Sequence, residues 1–355
     1  MSDASADSQH AREAQTLAQQ LARGLDAISA AHDVEIGTAP KDAVYREDKL
    51  VLYRYRRPDA GAGVSVRTPL LICYALVNRP YMMDLQPDRS MIRSLLQAGV
   101  DVYLIDWGYA DGADRYLDMD DYILRYMDHC VRHVREASGH ERINLLGVCQ
   151  GGTMSLCYAA LHPHYVRNLA TMVTPVDFRT PENLLTKWAE HLDIDALVRT
   201  SGNVPGEWLN AVFVSLLPFR LMSQKYMNLS DHLDDPRALQ NFLRMEKWIF
   251  DSPDQAGEMF RQFVTLLVRE NRLAAGTLQL GGRAVDLKRI DMPVLNIYAL
   301  QDHLVPPAAS RPLRGLVGTA DYTEHEFDGG HIGIHVSVAA REIPARIAGW
   351  LRERE

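Results

Sequence analysis

The sequence predicts an α/β protein: a doubly wound, mostly parallel sheet with an inserted, mainly helical cap. Three observations lead there. Short apolar runs alternate with helical periodicity from Lys49 to Val173. That rhythm then stops for about 110 residues of helical pattern, and it resumes near Pro293 and runs to a last helix. A sheet whose strands are split by one helical block is the expected outcome.

Taken in order, residues 11–31 place Leu17, Leu21, Leu25 and Ile28 at helical spacing, which predicts an amphipathic helix packed onto the fold. Leu50 to Tyr55 alternates like an antiparallel or edge strand. Leu70 to Tyr74 and Val100 to Ile105 are short apolar runs between turn residues, as buried parallel strands are. Asp121 to Ala137 has helical period and ends at Ser138-Gly139. Ile143 to Leu146 predicts a strand, followed by a Gly-rich turn and an apolar helix over Thr153 to Leu161. Leu169 to Val173 is the next strand. Within the block, Ala238 to Phe250 and Gln255 to Glu270 read as helices, with no short strand at regular spacing. Pro293 to Ala299 and Tyr322 to Phe327 then read as strands, and Ala339 to Arg354 as a helix. The expected organisation is an N-terminal helical extension over 1–40, an α/β core over 41–177 and 291–355, and a cap over 178–290.

Composition narrows the function. The 355 residues hold 47 % apolar and 24 % charged residues, enough for a large core and unlike a disordered or fibrous chain. With 38 Lys and Arg against 46 Asp and Glu, the net charge is −8, so no basic excess exists to bind a nucleic-acid backbone. The apolar stretch Leu70 to Val77 is far shorter than the roughly 20 residues that span a bilayer. The opening MSDASADSQH has neither a basic nor an apolar region of a secretory signal. Cys73, Cys130, Cys149 and Cys157 form no CxxC pair, which suits reduced thiols and a cytoplasmic location.

One turn carries the chemistry. Gly147-Val148-Cys149-Gln150-Gly151-Gly152 follows a predicted strand and opens a predicted helix, matching the G-x-S-x-G nucleophile elbow with Cys in place of Ser. Such a turn raises its central side chain above the sheet beside a helix N-terminus, which favours a thiolate and offers N–H groups to an oxyanion. In the α/β-hydrolase order an acid follows a late strand, and a histidine follows the last one. Asp302 stands three residues after Ala299, and His331 lies in Asp328-Gly329-Gly330-His331 beyond the Tyr322 to Phe327 strand. Cys149, Asp302 and His331 are therefore the predicted catalytic triad. The N–H of Gln150 is the expected first oxyanion donor. Val77, in the loop after the Leu70 to Tyr74 strand, is the expected second, with Asn78 as the alternative.

A Cys–His pair attacks esters and thioesters readily at neutral pH. The acyl–Cys product of a thioester donor is itself a thioester, so it stays reactive enough to pass the acyl group to a hydroxyl. Cysteine thus favours acyl transfer over hydrolysis without excluding it.

From about residue 40 onward, Gly147-Val148-Cys149-Gln150-Gly151-Gly152-Thr153 with Asp302 and Gly330-His331 resembles the catalytic subunits of polyhydroxyalkanoate synthases. In length the chain is most similar to the class III subunit. The resemblance implies an acyltransferase that polymerises (R)-3-hydroxybutyryl-CoA to poly(3-hydroxybutyrate), with CoA released and the acyl group held on Cys149. It implies no cofactor, since CoA is part of the substrate. It also implies an E-type second subunit, of class III or the related class IV kind, a homodimer or higher oligomer, and a place on the surface of cytoplasmic polymer granules. In that family the residue matched by Asp302 is proposed to activate the attacking hydroxyl, whereas triad logic has it orient His331; the residues leave both open.

Two rivals remain. A Cys-nucleophile hydrolase of the dienelactone-hydrolase kind shares the elbow but not a cap of this size. A non-enzymatic scaffold predicts a broken triad, and this one is intact. Other candidates read as structural: His303 as a turn residue, Cys157 as core, and His335 as helix surface or a support behind the site. His129 and His133 read as a solvated helix face rather than a zinc motif. The Leu-, Met- and aromatic-rich runs Leu216 to Met222 and Trp248 to Phe250 read as cap packing, with an acyl channel as the sharper alternative.

Overall fold

A computed structural model describes residues 34–57, 66–216 and 235–355. The expected helix over 11–31 and the run Leu217 to Met222 lie outside the described residues. The described residues divide into a larger unit of residues 37–209 and 252–355 and a smaller one around residues 210–251.

The larger unit is organised by a sheet of eight strands. They are β1 (Lys41–Glu47), β2 (Leu50–Tyr55), β3 (Leu70–Cys73), β4 (Val102–Asp106), β5 (Ile143–Val148), β6 (Val166–Met172), β9 (Val294–Ala299) and β10 (Tyr322–Phe327). A separate two-residue hairpin supplies β7 (Gln279–Leu280) and β8 (Arg283–Ala284). The spatial order is β1-β2-β4-β3-β5-β6-β9-β10; β2 is antiparallel to β1 and β4, and every later pair is parallel. Strands β3, β5 and β9 are buried along their whole length, as both-face coverage of a parallel sheet demands. Strand β1 forms the edge outside β2, so Leu50 to Tyr55 is an inner antiparallel strand.

Four buried amide and hydroxyl side chains pair across neighbouring strands of this sheet. Asn168 Nδ2 donates to Asn144 Oδ1 at 2.8 Å, and Asn144 Nδ2 donates to Thr68 O at 2.9 Å. Thr171 Oγ1 donates to Asn296 Oδ1 at 2.9 Å, and Asn296 Nδ2 reaches Ser310 O at 3.2 Å. Asn144 and Asn168 are register partners, as are Thr171 and Asn296. Each bond meets a group that would otherwise lose water without compensation.

The helices are α1 (Met91–Gln97), α2 (Asp128–Ser138), α3 (Gln150–Leu161), α4 (Leu184–His191), α5 (Ile194–Ser201), α6 (Gly206–Leu216), α7 (Pro236–Phe250), α8 (Gly257–Gln262), α9 (Pro307–Ser310), α10 (Leu313–Leu316), α11 (Gly333–Val336) and α12 (Glu342–Arg352). Helix α3 is apolar all round and buried from Gly151 to Leu161, which is why no amphipathic stripe marks its start. It begins directly at Gln150, not at Thr153. The segment predicted as one helix from Asp121 is a π-helical turn over Asp121–Met127 running into α2.

Between β6 and β9 the regular structure of the described residues is helical apart from the β7–β8 hairpin and one backbone bridge, Val204 with Gln255. The helix expected from Gln255 starts instead at Gly257, because Gln255 is held in that bridge. In the smaller unit, Asp235 caps α7 by accepting from Arg237 N at 2.9 Å and Ala238 N at 3.2 Å. Along α7, Arg244 Nε donates to Glu35 O and Lys247 Nζ to Val34 O, each at 3.0 Å.

Candidate active site

The three triad candidates stand at the C-terminal ends of parallel strands, where open α/β sheets place their ligands. Cys149 joins β5 to α3 with φ 53° and ψ −124°, a left-handed backbone that non-glycine residues rarely adopt. Glycines make the bend possible. A Cβ at Gly147 would strike Gly152, one at Gly151 would strike Cys73 O and Tyr74, and one at Gly152 would strike Thr174. The bend is pinned by Cys149 N donating to Met172 O and Gly152 N to Cys149 O, each at 2.9 Å. Cys149 is half-buried, whereas Cys73, Cys130 and Cys157 are buried. Burial pushes the Cys73 and Cys157 thiols up to about 12, so neither offers a thiolate near neutrality.

Asp302 and His331 come from two loops sewn together. Leu300 N donates to Phe327 O at 2.9 Å and Gln301 N to Gly329 O at 2.8 Å. Gly329 lies against the Phe327 ring, where a Cβ would collide. In this frame His331 Nδ1 donates to Asp302 Oδ2 at 2.6 Å. The other carboxylate oxygen, Oδ1, accepts from Leu304 N and Val305 N, both at 2.9 Å. Asp302 is 5 % and His331 8 % exposed, so the pair acts in a low dielectric.

Burial alone would disfavour a charged imidazole at His331. The Asp302 charge, the Cys149 charge and the hydrogen bond to Asp302 outweigh it, and they hold His331 well above its ordinary value. A proton leaving the thiol therefore has a stable seat on the imidazole. His331 thus faces both other members of the predicted triad.

Of the two readings of His335, helix surface or a support behind the site, its burial excludes the first. It is buried on α11, with its ring 6.2 Å from that of Tyr74 in an edge arrangement. Burial, and then the neighbouring His331 charge, depress it to about 3. Two imidazoles thus stand near one another, and only His331 is disposed to carry charge. His303 is half-buried beside Asp302. His129 Nδ1 lies 2.7 Å from Glu47 Oε2, and the His133 ring packs 5.5 Å from that of Tyr45.

The loop after β3 reaches the elbow. Leu76 N donates to Gln150 Oε1 at 3.1 Å, which commits that N–H to a side chain. Among the described residues, the N–H groups of Gln150 and Val77 donate no hydrogen bond. Asn78, the alternative, has φ 60° and donates from Nδ2 to Ser252 Oγ at 2.7 Å. Arg79 then pairs with Asp106 Oδ2 at 2.8 Å and with Gly108 O at 2.8 Å, so the loop is tied at its far end too. Sequence reasoning missed Gln255, the side chain of Gln150 and Tyr74. Their partners lie too far along the chain for any local spacing to reveal them.

Comparison with known proteins agrees with the fold. A family described as the alpha/beta hydrolase fold matches residues 68–337. The chain is 60 % identical over 336 residues to the poly(3-hydroxyalkanoate) polymerase subunit PhaC of Allochromatium vinosum, covering 94 % of each chain. It is 57 % identical to the subunit of the same name in Thiocystis violacea, again over 94 % of each. The Synechocystis counterpart is 50 % identical, covering 91 % of this chain and 87 % of that one. Among solved structures, a monoacylglycerol lipase of Paleococcus ferrophilus superposes with a TM-score of 0.54 at 19 % identity, covering 86 % of this chain and 99 % of the lipase, a likeness of fold.

Proposed function

The chain belongs to the poly(3-hydroxyalkanoate) polymerase subunits, built on the α/β-hydrolase fold, and from that membership we propose that it polymerises (R)-3-hydroxyacyl units, hydroxybutyryl above all, through an acyl thioester on Cys149. The observation that carries the residue assignment is His331, hydrogen-bonded to Asp302 and close enough to Cys149 to be raised by its charge.

His331 takes the proton of the Cys149 thiol, and the sulfur attacks the thioester carbonyl of the acyl-CoA. Negative charge gathers on the carbonyl oxygen, and the N–H groups of Gln150 and Val77 receive it. The tetrahedral adduct collapses, the bond to the CoA sulfur breaks, and the imidazolium returns its proton to that leaving thiolate. The acyl group now sits on Cys149. The 3-hydroxyl of a second unit or chain end gives its proton to His331 and attacks the acyl carbonyl. A new ester bond forms as the Cys149 thiolate departs and regains its proton. Asp302 holds His331 in one tautomer and supports its charge; activation of the hydroxyl by Asp302 is the alternative role. CoA enters as part of the substrate, and these steps call for no further cofactor.

The relatives' name as polymerase subunits supports a place within a larger synthase. The finer reading is an E-type partner, a homodimer or higher oligomer, and residence at the surface of cytoplasmic granules. No helix among the described residues is long and apolar enough to cross a membrane.

The test is mass spectrometry after exposure to a CoA-linked hydroxybutyrate trimer that lacks its terminal hydroxyl. Acyl mass on the peptide bearing Cys149 is expected. With hydroxybutyryl-CoA itself, thiol release should accompany insoluble polymer; free hydroxy acid in its place would make the protein a thioester hydrolase.

A further inference from the structure

Two glutamines from distant parts of the chain hold the two peptides that flank Leu76. Gln150 Oε1 accepts from Leu76 N at 3.1 Å, and Gln255 Nε2 donates to Leu76 O at 2.8 Å. Gln255 is 3 % exposed, and its own backbone is locked to Val204 by N–H···O bonds of 2.9 Å in both directions. The neighbouring backbone is tight as well: Gly206 N donates to Asp254 Oδ1 at 3.0 Å, and a Cβ on Gly206 would strike Ser252 O. A buried polar side chain on so firm a base is costly to orient unless its bond matters to the fold or to the site.

The consequence for Val77 follows from peptide geometry. The bond is trans, so the Leu76 carbonyl and the Val77 N–H lie in one plane and point in opposite directions. Fixing the carbonyl on Gln255 fixes where the Val77 N–H points. Donation into that carbonyl also polarises the same amide and strengthens its N–H as a donor. Gln150 sets the preceding peptide, so the plane cannot swing about its N-terminal end. The residue after the nucleophile thus supplies an oxyanion donor from its backbone and, from its side chain, fixes the loop bearing the second.

We propose that Gln255, together with the Gln150 side chain, is a positioning residue of the oxyanion hole, the two clamping Leu76 at its carbonyl and its N–H so that the Val77 N–H meets the developing negative charge. This rests on the reading of Cys149 as the acylated nucleophile. The clamp works only when charge builds on a carbonyl oxygen. Alkylation of Cys149 by iodoacetamide displaces iodide at carbon and builds no such charge, so it reports on the Cys149–His331 pair alone.

The test compares Gln255→Met, Gln255→Glu and Gln150→Met with wild type, using the trimer-CoA acyl donor and iodoacetamide in parallel. Gln255→Met keeps length without a donor, and Gln255→Glu keeps shape but turns the donor into an acceptor. Both should lower the acylation rate constant by about 10- to 100-fold with KM nearly unchanged, short of the roughly 10²–10³-fold cost of deleting a donor outright. Gln150→Met should fall in the same direction, and alkylation of Cys149 should stay within about twofold throughout. The proposal is overturned if Gln255→Met acylates within about threefold of wild type, if KM alone moves, or if acylation and alkylation fall together, the mark of a merely structural role. Wild-type protein that carries acyl groups anywhere but Cys149 would instead remove the underlying reading, and this proposal with it.

Discussion

Gly151 lies so close beneath the carbonyl of Cys73 that no side chain fits between them. The first turn of α3 is therefore pressed against the end of β3, and that contact brings the elbow and the oxyanion loop together. Replacing Gly151 with Ala should cost about 1–3 kcal/mol or more of stability, because the obstacle is backbone and cannot rotate away. Urea unfolding of Gly151→Ala measures this. A midpoint equal to that of wild type would mean the two elements are free to separate.

Cys149→Ala should fold and should form neither acyl-enzyme nor polymer. Polymer made near the wild-type rate would remove Cys149 from the reaction. Cys149→Ser should acylate far more slowly than wild type, since an alcohol needs much stronger activation than a thiol. An undiminished Ser variant would make the sulfur irrelevant.

Asp302→Asn keeps the size of the side chain but cannot hold the His331 Nδ1–H in the same tautomer. By analogy with Ser-His-Asp enzymes, acylation should fall by up to about 10⁴-fold. The measurement also separates the two roles of Asp302. Loss at the acylation step marks a residue that orients His331, whereas normal acylation with arrested elongation marks one that activates the hydroxyl.

The two histidines should leave opposite marks on stability. His331 is raised in the folded state, so what it contributes is complete below its ordinary value near 6.5 and is lost as pH climbs through the elevated value. His335 is depressed to about 3, so its contribution is complete above 6.5 and is lost as pH falls toward 3. Urea midpoints across pH should thus decline on the alkaline side in wild type and less so in His331→Gln. The acid-side decline should shrink in His335→Gln. Identical profiles for all three proteins would contradict both assignments.

The sequence displays a feature where a local cause makes it. Strand β10 spans Tyr322–Phe327 as expected, and the elbow, Asp302 and His331 are marked by strand ends and glycines. Strand β1 was invisible because it is an exposed edge of mixed, charged residues with no clean alternation. Helix α3 starts three residues early because tertiary packing, not propensity, makes Gln150-Gly151-Gly152 helical. The burial of His335 depends on Tyr74, and the Leu76 clamp joins residues 74 and 179 positions apart. Periodicity has no access to such pairings.

The amide and hydroxyl pairs crossing β5, β6 and β9 also govern assembly of the sheet. If β6 slid by one position, Asn168 and Thr171 would swap faces, and hydrocarbon would surround groups that had lost their mates. A mis-threaded sheet is thereby penalised. Proofreading of alignment is thus written into the interior, and the thiol above it inherits its address from four uncharged side chains that never meet a substrate.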